Sequence, residues 1–171
     1  LHCARIIQHP GTKDVSIFQP QWSPDNQLYF VSDFSGWWNL YRYHNDSIHA
    51  VNHEKLEFGL PQWVFAQSSY SFSSADTILC APIDNGIASL ALLDISTGTL
   101  TPVQTPWNHF SSIQAVGDHY SFIAASPESF PEVISLQPEQ TQTLRRSCES
   151  QLDTGYFSFG QTLCFQTRHD D

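Results

Sequence analysis

The residue types that could do chemistry here are a serine flanked by glycine, eight histidines, and a scatter of carboxylates and cysteines. Serine hydrolysis would need a sharp strand-to-helix turn with glycines on both sides of the nucleophile, as in G-x-S-x-G. The nearest approach is "GYFSFG" at 155–160, where Ser158 precedes Gly160 but Tyr156 occupies the position that needs the first glycine. No helical periodicity follows, so Ser158 lacks the context of a nucleophile. A metal site would have to come from His44, His49 and His53 with Glu54. An H-E-x-x-H pair works by placing two rings on one helix face, whereas His44 and His49 flank an Asn-Asp turn and His53 falls in a connecting loop. They read as solvated loop histidines. The carboxylates Glu54/Glu57 and Asp170/Asp171 have no partner that would define an acid–base pair. Cys3, Cys80, Cys148 and Cys164 make no C-x-x-C spacing, so neither zinc nor a dense disulfide framework is indicated. Cys80, inside the apolar run "TILCAPI", reads as a buried reduced thiol. No catalytic, metal or cofactor-binding residue is assigned, and no cofactor is expected.

These groups would have to be carried by strands. Short runs rich in β-branched and aromatic residues alternate with turn residues along the whole chain, and no stretch sustains an i, i+3, i+4, i+7 apolar pattern. Strands are expected at 16–22, 27–32, 38–44 and 47–51, joined by "SPDN", "DFSG" and "ND". A second group follows in "SYSFS", "TILCAPI", "SLALLDIS" and "TLTPV", and a weaker third in "SSIQAV", "HYSFIAAS", "EVISLQP" and "QTLRR". Four-strand units recurring every ~40–50 residues are the signature of β-propeller blades. The expected fold is therefore all-β: about three four-stranded blades at 16–52, 57–106 and 110–147, an open sector of a larger propeller. The pattern breaks after Arg146, and 148–171 reads as an exit segment that begins a strand of a further unit.

"PQW" occurs at 20–22 and again at 61–63, which predicts that Trp22 and Trp63 end equivalent first strands and share packing. Leu28, Phe30, Leu40 and the Tyr41/Tyr43 pair are expected to alternate as strand residues facing adjacent blades. Trp37 and Trp38, just after Gly36 at a hairpin tip, are candidates either for core anchors or for contacts to a neighbouring domain or ligand.

Composition narrows the function classes. Charged residues are 14% of the chain and the net charge is -10; Arg145-Arg146 is the only adjacent basic pair. A phosphate backbone would be repelled, so nucleic-acid binding is not expected. No run approaches the ~18 apolar residues of a membrane span. No secretory signal pattern is present, and with few cysteines this suggests a cytoplasmic setting. The chain holds no methionine, and Leu1 reads as a cut point.

The ordered set "SIFQPQWSPDNQLYFVSDFSGWWNLYRY" (16–43), "EFGLPQWVFAQSSYSF" (57–72), "DNGIASLALLDISTGTLTPVQTP" (84–106) and "LRRS" (144–147) resembles the propeller of the prolyl oligopeptidase family of serine peptidases, in its acylaminoacyl-peptidase and dipeptidyl-aminopeptidase-like branch. The resemblance covers roughly residues 16–165. It implies a propeller that precedes an α/β-hydrolase domain with a Ser-Asp-His triad and restricts access to short peptides. This chain matches only the last three or so blades and the start of the crossing into the hydrolase, so the triad would lie beyond Asp171 and no catalytic residue carries over. On that resemblance the chain is a non-catalytic scaffold and access gate for oligopeptides, inactive alone, whose partner is its own hydrolase domain. The alternative is a free-standing propeller-like protein-binding module. A three-blade sector would also leave end faces and strand edges uncovered, so self-association is expected.

Overall fold

The computed structural model describes residues 15–138, 140–149, 153–163 and 165. Cys3, Cys164, Asp170 and Asp171 lie outside them. The described residues form three four-stranded antiparallel sheets and one two-stranded hairpin.

In the first sheet β1 (Ile17–Trp22), β2 (Leu28–Ser32), β3 (Asn39–His44) and β4 (Ser47–Ala50) pair in chain order. The turns explain the register. Asn45 and Asp46, both at positive φ (48° and 62°), make the tight β3–β4 connection that only residues tolerant of the left-handed region allow. In the β1–β2 turn the Ser23 amide donates to the Gln27 carbonyl at 2.9 Å.

The second sheet holds β5 (Tyr70–Phe72) and β6 (Thr77–Cys80). A small hairpin of β7 (Ile83–Asp84) and β8 (Ile87–Ala88) then departs from it, and β9 (Leu90–Asp94) and β10 (Leu100–Val103) complete the order β10-β9-β6-β5. The third sheet is β11 (His109–Val116), β12 (His119–Ser126), β13 (Ser129–Gln137) and β14 (Gln140–Arg146). This is the expected all-β propeller segment.

Two cores lie between the three sheets. Phe18, Tyr29, Val31 and Leu40 of the first sheet meet Ile78, Cys80, Ala91 and Leu93 of the second, with Tyr29 edge-on to Phe72 at 5.0 Å. The other face of the second sheet presents Leu79, Ala81 and Leu90 to Phe110, Ile113, Phe122, Ala124 and Ile134 of the third. The middle sheet is covered on both sides. That is why "TILC" is apolar without alternation, the pattern of a doubly buried strand.

The strand residues of the first sheet alternate as expected: Leu40 packs toward the second sheet, while Phe30 and Tyr41 stack at 6.1 Å on the opposite face. One expectation needs correction: Trp22 and Trp63 are not equivalent. Trp22 ends β1, but Trp63 sits in a turn and is 82% exposed. The residue equivalent to Trp22 is Phe72: each precedes a serine whose amide bonds a carbonyl four residues on, Ser23 to Gln27 and Ser73 to Thr77, both at 2.9 Å.

β1, β5 and β11 are neighbours along the inner edges of the sheets, and they are joined by polar groups. Gln19, in a bulge of β1 at φ 46°, donates from Nε2 to the Tyr70 carbonyl (2.8 Å) and accepts from the Ser69 amide (2.8 Å). The Tyr70 hydroxyl returns a bond to the Gln19 carbonyl (2.8 Å). Ser68 Oγ donates to the Ile113 carbonyl (2.7 Å), and the Ala115 amide donates to Ser71 Oγ (3.0 Å). β11 carries a matching bulge, with Ser112 at φ 54°.

Candidate interaction face

The inner-edge bonds fix the relative direction of the sheets. Ser68, Ser71 and Ser73 meet Ile113, Ala115 and Gly117 in ascending order, so β5 and β11 run the same way. Each sheet therefore has a leading end, where its inner strand begins, its second strand hands over to its third, and its outer strand finishes. Apart from the two-residue β12–β13 turn, the connections at this end are long, so most irregular backbone is gathered there.

Trp37 and Trp38 both lie at the leading end. Trp38 is pinned by the loop 51–60. Its amide donates to Glu57 Oε2 (3.0 Å), its carbonyl accepts from the Phe58 amide (2.7 Å), and a Cβ on Gly59 would come within 2.8 Å of its ring. The ring packs against the core beneath. The loop itself is held by a buried pair of amides: Asn52 Nδ2 donates to Asn39 Oδ1 (2.8 Å), while Asn52 Oδ1 accepts from the Leu40 amide (3.1 Å). Trp37, one residue away, is 38% exposed.

Other exposed apolar side chains join Trp37 at this end. They are Ile17 at the start of β1, Phe34 in the β2–β3 turn, Trp63, Val64 and Phe65 in the loop before β5, Ile87 of β8 and Phe130 of β13. Trp22 and Val116 are exposed at the opposite end. Apolar exposure gathered on one end is a feature of interaction surfaces. The chain after β14 also runs to this end, where Thr162 Oγ1 donates to the Asn85 carbonyl of the β7–β8 turn at 3.5 Å.

The loop 61–67 shapes a groove of about 320 Å³ against β1, lined by Ile17, Phe18, Gln19, Gln62, Val64, Phe65, Ala66 and Gln67. No lining residue is charged. The sequence pattern does not reveal this groove, because "PQW" at 61–63 reads as the end of a first strand. The available signal is the six residues between Trp63 and Tyr70, where β5 begins.

The remaining candidates are dispersed. His44 lies at the far end of β3, whereas His53 follows β4 at the leading end, so the fold separates them across the sheet. Glu57 is engaged with Trp38 and, through its backbone, with Ile83. Ser158 is exposed in an extended segment beyond the short 3₁₀ turn Thr154–Tyr156. Burial pushes the Cys80 thiol and the Tyr70 hydroxyl well above their ordinary values, so both stay protonated. A hydrogen bond from Ser23 holds Asp25 below the usual carboxylate range.

No protein-family model and no curated protein sequence matches the chain. Solved structures do. A puromycin hydrolase variant superposes on 92% of this chain with a TM-score of 0.79 at 25% identity. A puromycin-hydrolysing peptidase from Mycobacterium tuberculosis covers 88% with a TM-score of 0.77 at 24% identity. TolB from Acinetobacter baumannii, at 17% identity and a TM-score of 0.60 over 77% of the chain, shares the fold alone. The chain spans 24% of the length of either hydrolase. Among the described residues no helix is long and apolar enough to cross a membrane. The resemblance read from the ordered aromatic motifs thus holds in three dimensions: the chain has the fold of the propeller segment of prolyl oligopeptidase-family peptidases, puromycin hydrolases among them.

Proposed function

We propose that this chain is the non-catalytic propeller portion of a serine-peptidase-type hydrolase, a scaffold and access gate for oligopeptides on the way to a separate catalytic domain. The observation that carries this reading is the match of nearly the whole chain to about a quarter of a puromycin hydrolase. The leading end supports it: the apolar surface gathers on the one end toward which the chain also leaves β14. A catalytic domain of the acylaminoacyl- or dipeptidyl-peptidase kind would rest on that end. Trp37 is its candidate contact, one residue from Trp38, which the loop 51–60 fixes in place. A cytoplasmic setting fits the free thiols of Cys80 and Cys148.

A fluorophosphonate probe, which marks only activated serines, tests the division of labour. No labelling of this chain is expected; labelling, at Ser158 above all, would overturn the reading. Gating is tested by a peptide length series on the full-length protein. There kcat/KM should fall sharply between short and long peptides, and a length-independent profile would refute the gate.

A further inference from the structure

The loop 61–67 holds three unfavourable features in seven residues. Trp63 and Phe65 are 82% and 91% exposed. Ala66 adopts φ 59°, a left-handed conformation that a residue with a Cβ adopts only at a cost. Gln67 Oε1 is buried with no hydrogen-bond partner, which removes an acceptor from water without compensation. An occupant of the adjacent groove, which Val64 and Phe65 line, could relieve the first and the third, by covering exposed ring surface and by supplying an N–H donor as the Gln67 amide turns toward it.

We propose that this groove is a side-chain subsite for peptide substrates, taking an uncharged apolar or aromatic residue together with its backbone N–H. The inference rests on the gate reading above and names the substrate class at that gate. The chemistry of the lining selects the occupant. Ile17, Val64 and Phe65 supply apolar surface, and Gln62 and Gln67 supply amides, the Gln19 amide being committed to Ser69 and Tyr70. In a chain of net charge -10, this groove carries no charge, so a neutral group enters it without an unpaired ion on either side. Its place matches the role, since Phe18 and Gln19 belong to β1, the inner strand.

The test is an NMR titration of the intact chain. The indole N–H signals of its five tryptophans are followed, and Trp63 is assigned with W63F. The probes are N-acetyl-phenylalaninamide, N-acetyl-glycinamide and N-acetyl-lysinamide. Saturable movement of the Trp63 signal by the phenylalanine compound is expected, with affinity about tenfold or more above the other two, the range that a missing apolar contact gives. F65A and Gln67→Leu should each weaken that affinity about tenfold while the Trp38 signal, which reports the packed core, stays in place. An unmoved Trp63 signal, or equal movement by all three probes, overturns the subsite. So does movement with protein concentration alone, which would make a second copy the occupant. Labelling by fluorophosphonate alongside a normal titration would instead refute the scaffold reading and leave the subsite standing.

Discussion

Replacing Gln19 by methionine isolates the polar latch between the first two sheets. Methionine keeps the length and volume of glutamine but neither donates nor accepts strongly. It would strand the Ser69 amide and leave the Tyr70 carbonyl only the Ser68 hydroxyl at 3.1 Å, which Ile113 shares; residues 69 and 70 are 2% and 0% exposed. A stranded buried group costs about 1–3 kcal/mol, so the lost amide partner and the weakened carbonyl together should lower stability by roughly 3 kcal/mol, against a typical total of about 5–15. With a urea slope of about 2 kcal/mol/M for a chain of this size, the unfolding midpoint should fall by about 1.5 M at unchanged slope. Gln21→Met is the control. Gln21 is only half-buried and meets Gln19 at 3.3 Å, so its loss should cost less than about 0.5 kcal/mol, the range of surface changes. The native chain has no methionine, so a labelled methyl at position 19 reports on that site alone. A midpoint shift below about 0.3 M for Gln19→Met, less than about 1 kcal/mol at such a slope, would show that the inner edge is not a structural joint.

Further outcomes follow from particular contacts. Gly98 sits at φ 72° with its missing Cβ 2.7 Å from the Val51 carbonyl, whereas Gly86, at φ 83°, faces open space. Thermal unfolding should therefore show Gly98→Ala losing about 2–4 kcal/mol and Gly86→Ala about 1, since only the former adds a clash to the backbone strain. The Tyr70 hydroxyl is raised by burial: its contribution to stability is complete below the ordinary tyrosine value near 10 and is lost as the pH climbs beyond it. Absorbance of tyrosinate and loss of the β-sheet signal should consequently rise together in alkali; full ionisation of every tyrosine in a folded chain would refute the burial argument. Alkylation read by peptide mass should modify exposed Cys148 in the native protein and Cys80 only after unfolding. In sedimentation at increasing concentration the isolated chain should self-associate; a single monomeric boundary throughout would count against uncovered blade faces.

The strands were legible because turns and alternation were explicit. "SPDN", "ND" and "TG" separate runs that the structure confirms as strands within a residue or two. What misled was a repeat of letters without a repeat of geometry. The two Pro-Gln-Trp copies look alike, yet "WSPDNQLYF" is matched in space by "FSSADTILC", where an aromatic, a serine turn and a β-branched or leucine start recur. The β7–β8 hairpin was also legible, since Asn85-Gly86 is a strong two-residue turn signal and both sit at positive φ. The interaction face was hardly legible. Which end of each blade an exposed aromatic occupies depends on strand direction and on contacts between units far apart in sequence, such as Gln19 with Tyr70.

The doubly covered middle sheet also limits how this chain can be divided. Leu79 and Cys80 are neighbours in β6, yet they belong to different cores. A nick or truncation that removes either outer sheet bares one entire apolar face of the survivor. Within these residues the smallest separable unit is therefore not a sheet but the seam between two, and a cut placed in the middle of a sheet leaves two seams half intact. Insertions, splice junctions and limited proteolysis should be tolerated in the turns at the sheet ends and excluded from β6 and β9, the two strands that serve both neighbours at once.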